Sequence, residues 1–280
     1  MTITDFHTHT FPDAIAQKAI AGMQVNSHAA AFGTGTLDGL LESMAQAGIS
    51  RSVILPVATN PLKISSINDK LFSQEKSQRV VNFGAMHPLA ENWKEELNRL
   101  AAAGVPGIKL HPQYQGVDIT DIRYLRILDH AASLGLLTVM HAGDEIAYPG
   151  VVRCSPEMVR SVCHQLGNIP LILAHMGGWK NWERVAENLC DTGCYLDTAI
   201  SLGSIVPIDD HYAPGDLPLL SEEDFVNLVR AFGSQRILFG TDSPWADQQE
   251  EIRKITFLPL TTDEIENILS RNATRLLDLA

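Results

Sequence analysis

The sequence predicts an α/β protein, a (β/α)8 TIM barrel of distorted outline, formed as a single domain over residues 1–280. Eight short strands rich in Val, Ile and Leu alternate with helical patterns, and glycine stands just upstream of many of the strands. The strands read as apolar on both faces, as parallel strands covered by helices do. A chain of 280 residues suits one barrel of this class. A doubly wound open sheet is the competing architecture, weakened because no G-x-G-x-x-G follows the first strand.

Taken in order, Ile3 to His9 reads as the first strand, Phe11 to Gly22 as a helix and Met23 to Gly35 as a polar loop. Thr36 caps Leu37 to Ala47, where Leu37, Leu40, Leu41, Met44 and Ala45 recur at helical spacing. Gly48 closes that helix before the strand Ser52 to Pro56. The helix Leu62 to Lys76 leads to the strand Val80 to Met86, and Glu91 to Ala103, ended by Gly104, leads to Gly107 to His111. Asp121 to Leu134 ends at Gly135 before Leu136 to His141. Ser155 caps a helix with Pro156 at its first position, and Gly167 ends it before Pro170 to His175. Trp179 to Asp191 leads through Gly193 into Cys194 to Asp197. Ser221 to Asp224 resembles a capping box, opening a helix that Gly233 ends before Arg236 to Asp242; Thr261 with Glu264 repeats the signal for a last helix to Leu277. The long connection Ile200 to Leu220, with Pro207, Pro214 and Pro218, has the length of a lid.

The formal charge of −12, with no basic cluster, argues against nucleic acid or an anionic membrane as a partner. No apolar run approaches the roughly 18 residues of a membrane span, and the start Met1 to Asp5 lacks the features of a signal peptide, so a cytoplasmic protein is expected. Cys154, Cys163, Cys190 and Cys194 form no Cys-x-x-Cys pair and read as reduced thiols, small buried hydrophobes in effect.

In such a barrel the active site lies at the C-terminal ends of the strands. Those ends carry His7 and His9, His87, Lys109 and His111, His141, His175, Asp197 and Asp242, which gathers six of the ten histidines on one rim. His7 and His9 share a strand face, about 7 Å apart at Cα, a separation that lets two imidazoles chelate one ion. Three nitrogens and a carboxylate, from His7, His9, His141 and Asp242, make a first shell for a catalytic divalent metal with a position left for water. Asp242 can ligate the ion or take the proton of metal-bound water.

The set Phe6-His7-Thr8-His9, Gly107-Ile108-Lys109-Leu110-His111-Pro112, Val139-Met140-His141, Leu173-Ala174-His175-Met176-Gly177-Gly178 and Phe239-Gly240-Thr241-Asp242-Ser243-Pro244 resembles the amidohydrolase superfamily. It is most similar to the amidohydrolase 2 branch, with small metal-dependent hydrolases and aminocarboxymuconate-semialdehyde and related decarboxylases. Asn272 to Leu277 resembles the last helix of that branch. The resemblance implies ligation by His7, His9, His141 and Asp242, with His175 as a catalytic or orienting histidine beside the metal. It also implies that Lys109 is either carboxylated to bridge two ions or a charge that orients a substrate carboxylate; His111 faces inward beside it. His87 reads as a structural histidine, His211 as solvated, Asp197 as a substrate contact or a cap, and Trp245 as pocket wall or packing.

The expected activity is metal-dependent hydrolysis of an amide, ester or lactone-like carbonyl in a small molecule, with Asp242, His175, Lys109 and His111 as catalytic candidates. The alternative is non-oxidative decarboxylation of a small unsaturated or aromatic carboxylic acid, and the third reading is a non-catalytic barrel stabilised by its metal. Zn²⁺ is the expected ion, with Mn²⁺ or Fe²⁺ also accepted by these donors, and a second ion if Lys109 is carboxylated. Self-association into a homo-oligomer is compatible with such a barrel.

Overall fold

The computed structural model describes residues 1–73, 77–213 and 215–279. Among the described residues the strands are β1 Ile3–Thr8, β2 Ile49–Ile54, β3 Val80–Asn82, β4 Gly84–Ala85, β5 Gly107–Leu110, β6 Leu137–Met140, β7 Leu171–Leu173, β8 Tyr195–Asp197 and β9 Ile237–Leu238. All neighbouring pairs are parallel, in the orders β1-β2-β3 and β4 through β9. Sequential parallel order with intervening helices is the (β/α) pattern the sequence predicts.

The strand expected over Val80 to Met86 is interrupted at Phe83, whose N–H donates to Ile54 O at 3.0 Å and so carries the ladder across the break between β3 and β4. At the other seam, Phe6 N–H donates to Phe239 O at 2.7 Å and Asp242 N–H to His7 O at 2.8 Å. A parallel bridge joins Thr8 to Ser243. These bonds bring the segment after β9 back beside β1, across the seam of a distorted barrel.

Alternation along the strands serves two cores. The larger lies between strands and helices, around Met44, Leu97, Ile108, Tyr124, Val159 and Phe225. The second gathers Phe6, Val53, Leu55, Phe83, Val139, Ile172 and Leu238 with Ala273 and Leu276 of the last helix. Phe6 and Phe83 meet edge to face at 5.8 Å. Burying each such ring contributes on the order of 2 kcal/mol, so the strands converge on the cores while their polar ends stay at the rim.

Several helices differ from expectation. The first runs Asp13–Ser27, because Pro12 blocks an earlier start and the interior Gly22 weakens the helix without ending it before His28 adopts φ 53°. The helix expected over Leu62 to Lys76 is a 3-10 turn Pro61–Lys63 followed by Ile64–Ser73, and its end at Lys76 lies outside the described residues, as does Pro214 of the long connection. Trp179 to Asp191 forms only a 3-10 turn Trp182–Arg184 and a short helix Val185–Leu189. Ser221 receives Asp224 N–H, but the Asp224 carboxylate takes the Ser221 hydroxyl, so only half of the capping box forms. The full box forms at Thr261 and Glu264, and the last helix then passes through a π segment, Asn267–Arg271. A helix over Gln248–Phe257, capped by Asp247, has no counterpart in the sequence reading.

Candidate metal centre

His7 is the penultimate residue of β1 and His9 follows the strand, and the neighbouring segments fix which nitrogen of each ring is free. His7 Nδ1 lies 2.8 Å from Asp197 Oδ2, and His9 Nδ1 lies 2.7 Å from Leu55 O. Both partners only accept, so each Nδ1 carries the hydrogen and each Nε2 is left to meet whatever lies across the site. Those two Nε2 atoms face one oxygen, Asp242 Oδ1, at 3.5 Å from His7 and 2.9 Å from His9. A buried carboxylate facing two imidazole nitrogens is held by positive charge beside it, which a proton, the neighbouring Lys109 ammonium or a metal ion can supply. A divalent cation fits this donor set.

Burial, reinforced by the charge of Lys109, lowers the His7 pKa to about 4, so the ring is neutral near pH 7. Burial alone would raise the Asp242 and Asp197 carboxyls, but the surrounding histidines hold both below their ordinary values, Asp242 well below. Asp197 does more than contact His7: its Oδ1 accepts the backbone N–H groups of His175 and Ala199 at 3.0 and 3.1 Å. It thereby supports His175, which adopts φ 58°. Asp242 adopts φ 65°, also left-handed, a conformation of about 1 kcal/mol or more in a non-glycine residue.

Asp5 holds the Asp242 turn. Its Oδ1 accepts His7 N–H and Thr241 N–H, both at 3.1 Å, while Oδ2 accepts the Thr241 hydroxyl at 2.6 Å and the Gln248 amide at 2.7 Å. It is fully buried, and burial pushes its carboxyl up to about 7 against the pull of those bonds.

His141, expected as the fourth ligand, stands apart from this trio. Its ligand atom groups with His111 and Glu145 in a second buried set, distinct from that of His7, His9 and Asp242. The His111 and His141 rings stack at 4.1 Å, 14° from parallel, and their Nε2 atoms lie 3.4 and 3.6 Å from Glu145 Oε2. His141 Nε2 also contacts Asp144 O at 2.9 Å. His175 links the two sets: its Nδ1 bonds Ala199 O, its Nε2 lies 3.1 Å from His141 Nδ1, and its ring is 5.4 Å from that of His7. Lys109 is buried, its Nζ 3.1 Å from His7 Nε2, and burial brings its pKa down to about 8 although Asp197, Asp242 and Glu145 pull the other way.

The site opens into a cavity of about 1560 Å³ lined by all seven residues His7, His9, Lys109, His111, His141, His175 and Asp242. Tyr114, Glu145, Trp179, Phe32 and Val206 also line it, as does Trp245, which stands as pocket wall. The stretch 200–206 of the long connection reaches the mouth, with Ala30 N–H bonded to Val206 O. His87 is not among the lining residues; its Nδ1 accepts Leu89 N–H. His211 stacks on His28 at 3.8 Å on the surface. Glu145 and Asp5 escaped the sequence reading. Asp5 shares the strand parity of His7, and Glu145 stands four residues past His141; those were the signals available.

The geometry defines a barrel rim with metal-competent donors, and comparison with known proteins supplies the family. The amidohydrolase family model (Amidohydro_2) matches residues 4–279, so the chain belongs to this family. Among solved structures, an uncharacterized TIM-barrel protein, Bb4693 from Bordetella bronchiseptica, superposes with TM-score 0.77 at 18% identity, covering 100% of this chain and 99% of that one. A dihydroxybenzoic acid decarboxylase from Polaromonas sp. JS666, with bound manganese and the inhibitor 2-nitroresorcinol, superposes at 0.68 with 14% identity over 99% and 97%. A candidate 2-pyrone-4,6-dicarboxylic acid hydrolase from Pseudomonas putida gives 0.66 with 16% identity over 99% and 98%. At these identities the likeness establishes the fold. The comparison with curated proteins finds no match. No helix among the described residues is long and apolar enough to cross a membrane.

Proposed function

We propose that the protein is a metal-dependent hydrolase acting on an amide, ester or lactone-like carbonyl of a small molecule. The observation that carries this reading is the convergence of His7 Nε2 and His9 Nε2 on Asp242 Oδ1. When bound, a divalent ion, Zn²⁺ in the first instance, supplies Lewis acidity and a water acidic enough to yield hydroxide near neutral pH.

The chain's own residues do the rest. His7, His9 and Asp242 hold the ion, and His141 completes the set by giving up its contact with Asp144 O. Asp197 and Leu55 O keep both imidazoles in the ligating tautomer. Asp242, anionic at neutral pH, takes the proton at its carboxylate, and His175, fixed by Ala199 O, passes or orients a proton through Nε2. Lys109 binds an anionic group of the substrate, and His111 lines the wall beside it.

The second reading, non-oxidative decarboxylation of a small carboxylic acid, is favoured by the decarboxylase among the structural neighbours and by a cationic Lys109 on the cavity wall. Metal analysis with assays of the chelated protein and of Asp242→Asn tests the shared core. Stoichiometric metal and loss of turnover in both are expected; unimpaired turnover after chelation would sink both readings. A panel of carboxylic acids read for CO2 release separates them, because a substrate that only gains water disposes of the decarboxylase.

A further inference from the structure

Away from the cavity, two cysteines far apart in sequence meet. The Sγ atoms of Cys163 and Cys194 lie 3.6 Å apart across 31 residues. Cys163 sits in the helix Pro156–Leu166, half-buried, and Cys194 immediately precedes β8, with 1% of its surface exposed. Neither lines the cavity.

Both segments are pinned on either side of the pair. One turn before Cys163, the Arg160 guanidinium donates to Glu187 O, Asn188 O and both carboxylate oxygens of Asp191. Arg236 donates to Cys190 O, Thr192 O and Phe232 O, which fixes the turn that delivers Cys194. A disulfide needs its sulfurs at about 2.05 Å, so closure from this contact takes roughly 1.5 Å of side-chain movement with the backbone already clamped.

We propose that Cys163 and Cys194 form a reversible intramolecular disulfide on exposure to a hydroperoxide. Cys163 sulfur attacks one peroxide oxygen, the O–O bond breaks, and the departing oxygen leaves as an alcohol, or as water from hydrogen peroxide, giving a sulfenic acid. Cys194 sulfur then attacks the Cys163 sulfur, the S–S bond forms, and the hydroxyl leaves as water with the Cys194 proton. Two thiols and one hydroperoxide become one disulfide, one alcohol and one water. The order of attack follows from access and from the S–H of Cys194: its hydrogen bond draws the Cys163 thiol below its usual pKa and raises its own. The buried Cys154, its thiol pushed up by burial, and Cys190, raised by the same cause, are poorer nucleophiles.

The test treats the whole protein with hydrogen peroxide, alkylates it under denaturing conditions and maps the peptides by mass. Two of the four thiols should be protected in one peptide pair joining Cys163 to Cys194, restored by dithiothreitol, with Tm raised on the order of 5 °C by the closed loop. Cys190→Ser should cross-link as the native chain does, whereas Cys194→Ser should stop at a Cys163 sulfenic acid trapped by dimedone. Four free thiols after peroxide, a bridge to Cys154 or Cys190, or a bridge between chains overturns the proposal. Metal content should not change, so the result stands or falls independently of the proposed hydrolase.

Discussion

Replacing Asp5 by Asn isolates the energetic consequence of burying a carboxyl with four donors and no contacting cation. Burial raises this group from 3.8 to about 7, roughly three units, or on the order of 4 kcal/mol at 1.36 kcal/mol per unit. Because the folded pKa is the higher one, the folded chain keeps the proton where the unfolded chain has released it. The contribution to stability is therefore complete below about pH 4 and is lost as pH rises through about 7. Asn has no proton to lose. Gln248 Oε1 has no hydrogen-bond partner, so its amide can turn over to accept from the new side-chain NH2, leaving only the Thr241 hydroxyl to reorient. In urea denaturation of chelator-treated protein, the stability of Asp5→Asn relative to the native chain should improve by about 3 kcal/mol between pH 5 and pH 8.5. A difference between the two proteins that stays flat across that range refutes the argument.

Asp197→Asn should weaken metal binding by about 10- to 100-fold in equilibrium dialysis, because an amide NH2 facing His7 Nδ1 shifts the ring hydrogen to Nε2 and removes the ligating lone pair. Since the His7 pKa is lowered to about 4, protons compete for its nitrogen only in acid. Metal content should hold from pH 7 to about 5 and fall towards pH 4; loss already between pH 7 and 6 contradicts a buried neutral His7. At Gly240 an added Cβ would stand 2.8 Å from His7 Cβ, so Gly240→Ala should lower metal affinity, whereas Gly48→Ala, at φ 72° with open space around it, should lower stability by about 1 kcal/mol and leave metal binding unchanged.

What the sequence made legible follows periodicity. Apolar runs of four to six residues locate the strands, and strand parity puts His7 and His9 on one face. Parity could not reveal that Nδ1 of each ring is spoken for, because the partners Asp197 and Leu55 O come from other strands. Nor could it separate His141 from the trio: the ring's direction depends on the turn after β6, where Asp144 O and Glu145 compete for it. The helix Gln248–Phe257 was missed because Gln248, Gln249, Glu250 and Glu251 give no apolar stripe at its start. Glu251 and Gln248 are nonetheless buried, held by Lys254 three residues on and by Asp5, and the bond to Asp5, 243 residues away, is invisible in a local window.

The remaining decision lies with Lys109. Its Nζ donates to His7 Nε2, the atom whose lone pair an ion would take, so loading the His7, His9 and Asp242 set requires Lys109 to release it. With a pKa of about 8, roughly nine-tenths of this amine is protonated at pH 7, and an ammonium beside a divalent ion is repelled. Two outcomes relieve that repulsion: deprotonation followed by carboxylation, which turns the cation into a bridging anion, or withdrawal towards the cavity to meet an anionic substrate. Lys109→Met removes the charge in both cases and parts them. Where Lys109 acts as a cation, the variant should bind its first ion at least about tenfold more tightly, a gain of some 1.4 kcal/mol, while KM for a carboxylate substrate rises. Where the lysine is carboxylated, the same change deletes a ligand, so metal stoichiometry falls, and the native protein's should respond to added bicarbonate. Metal analysis with and without bicarbonate, on native and Lys109→Met protein, distinguishes the two; tighter first-ion binding together with unchanged stoichiometry excludes the bridging lysine.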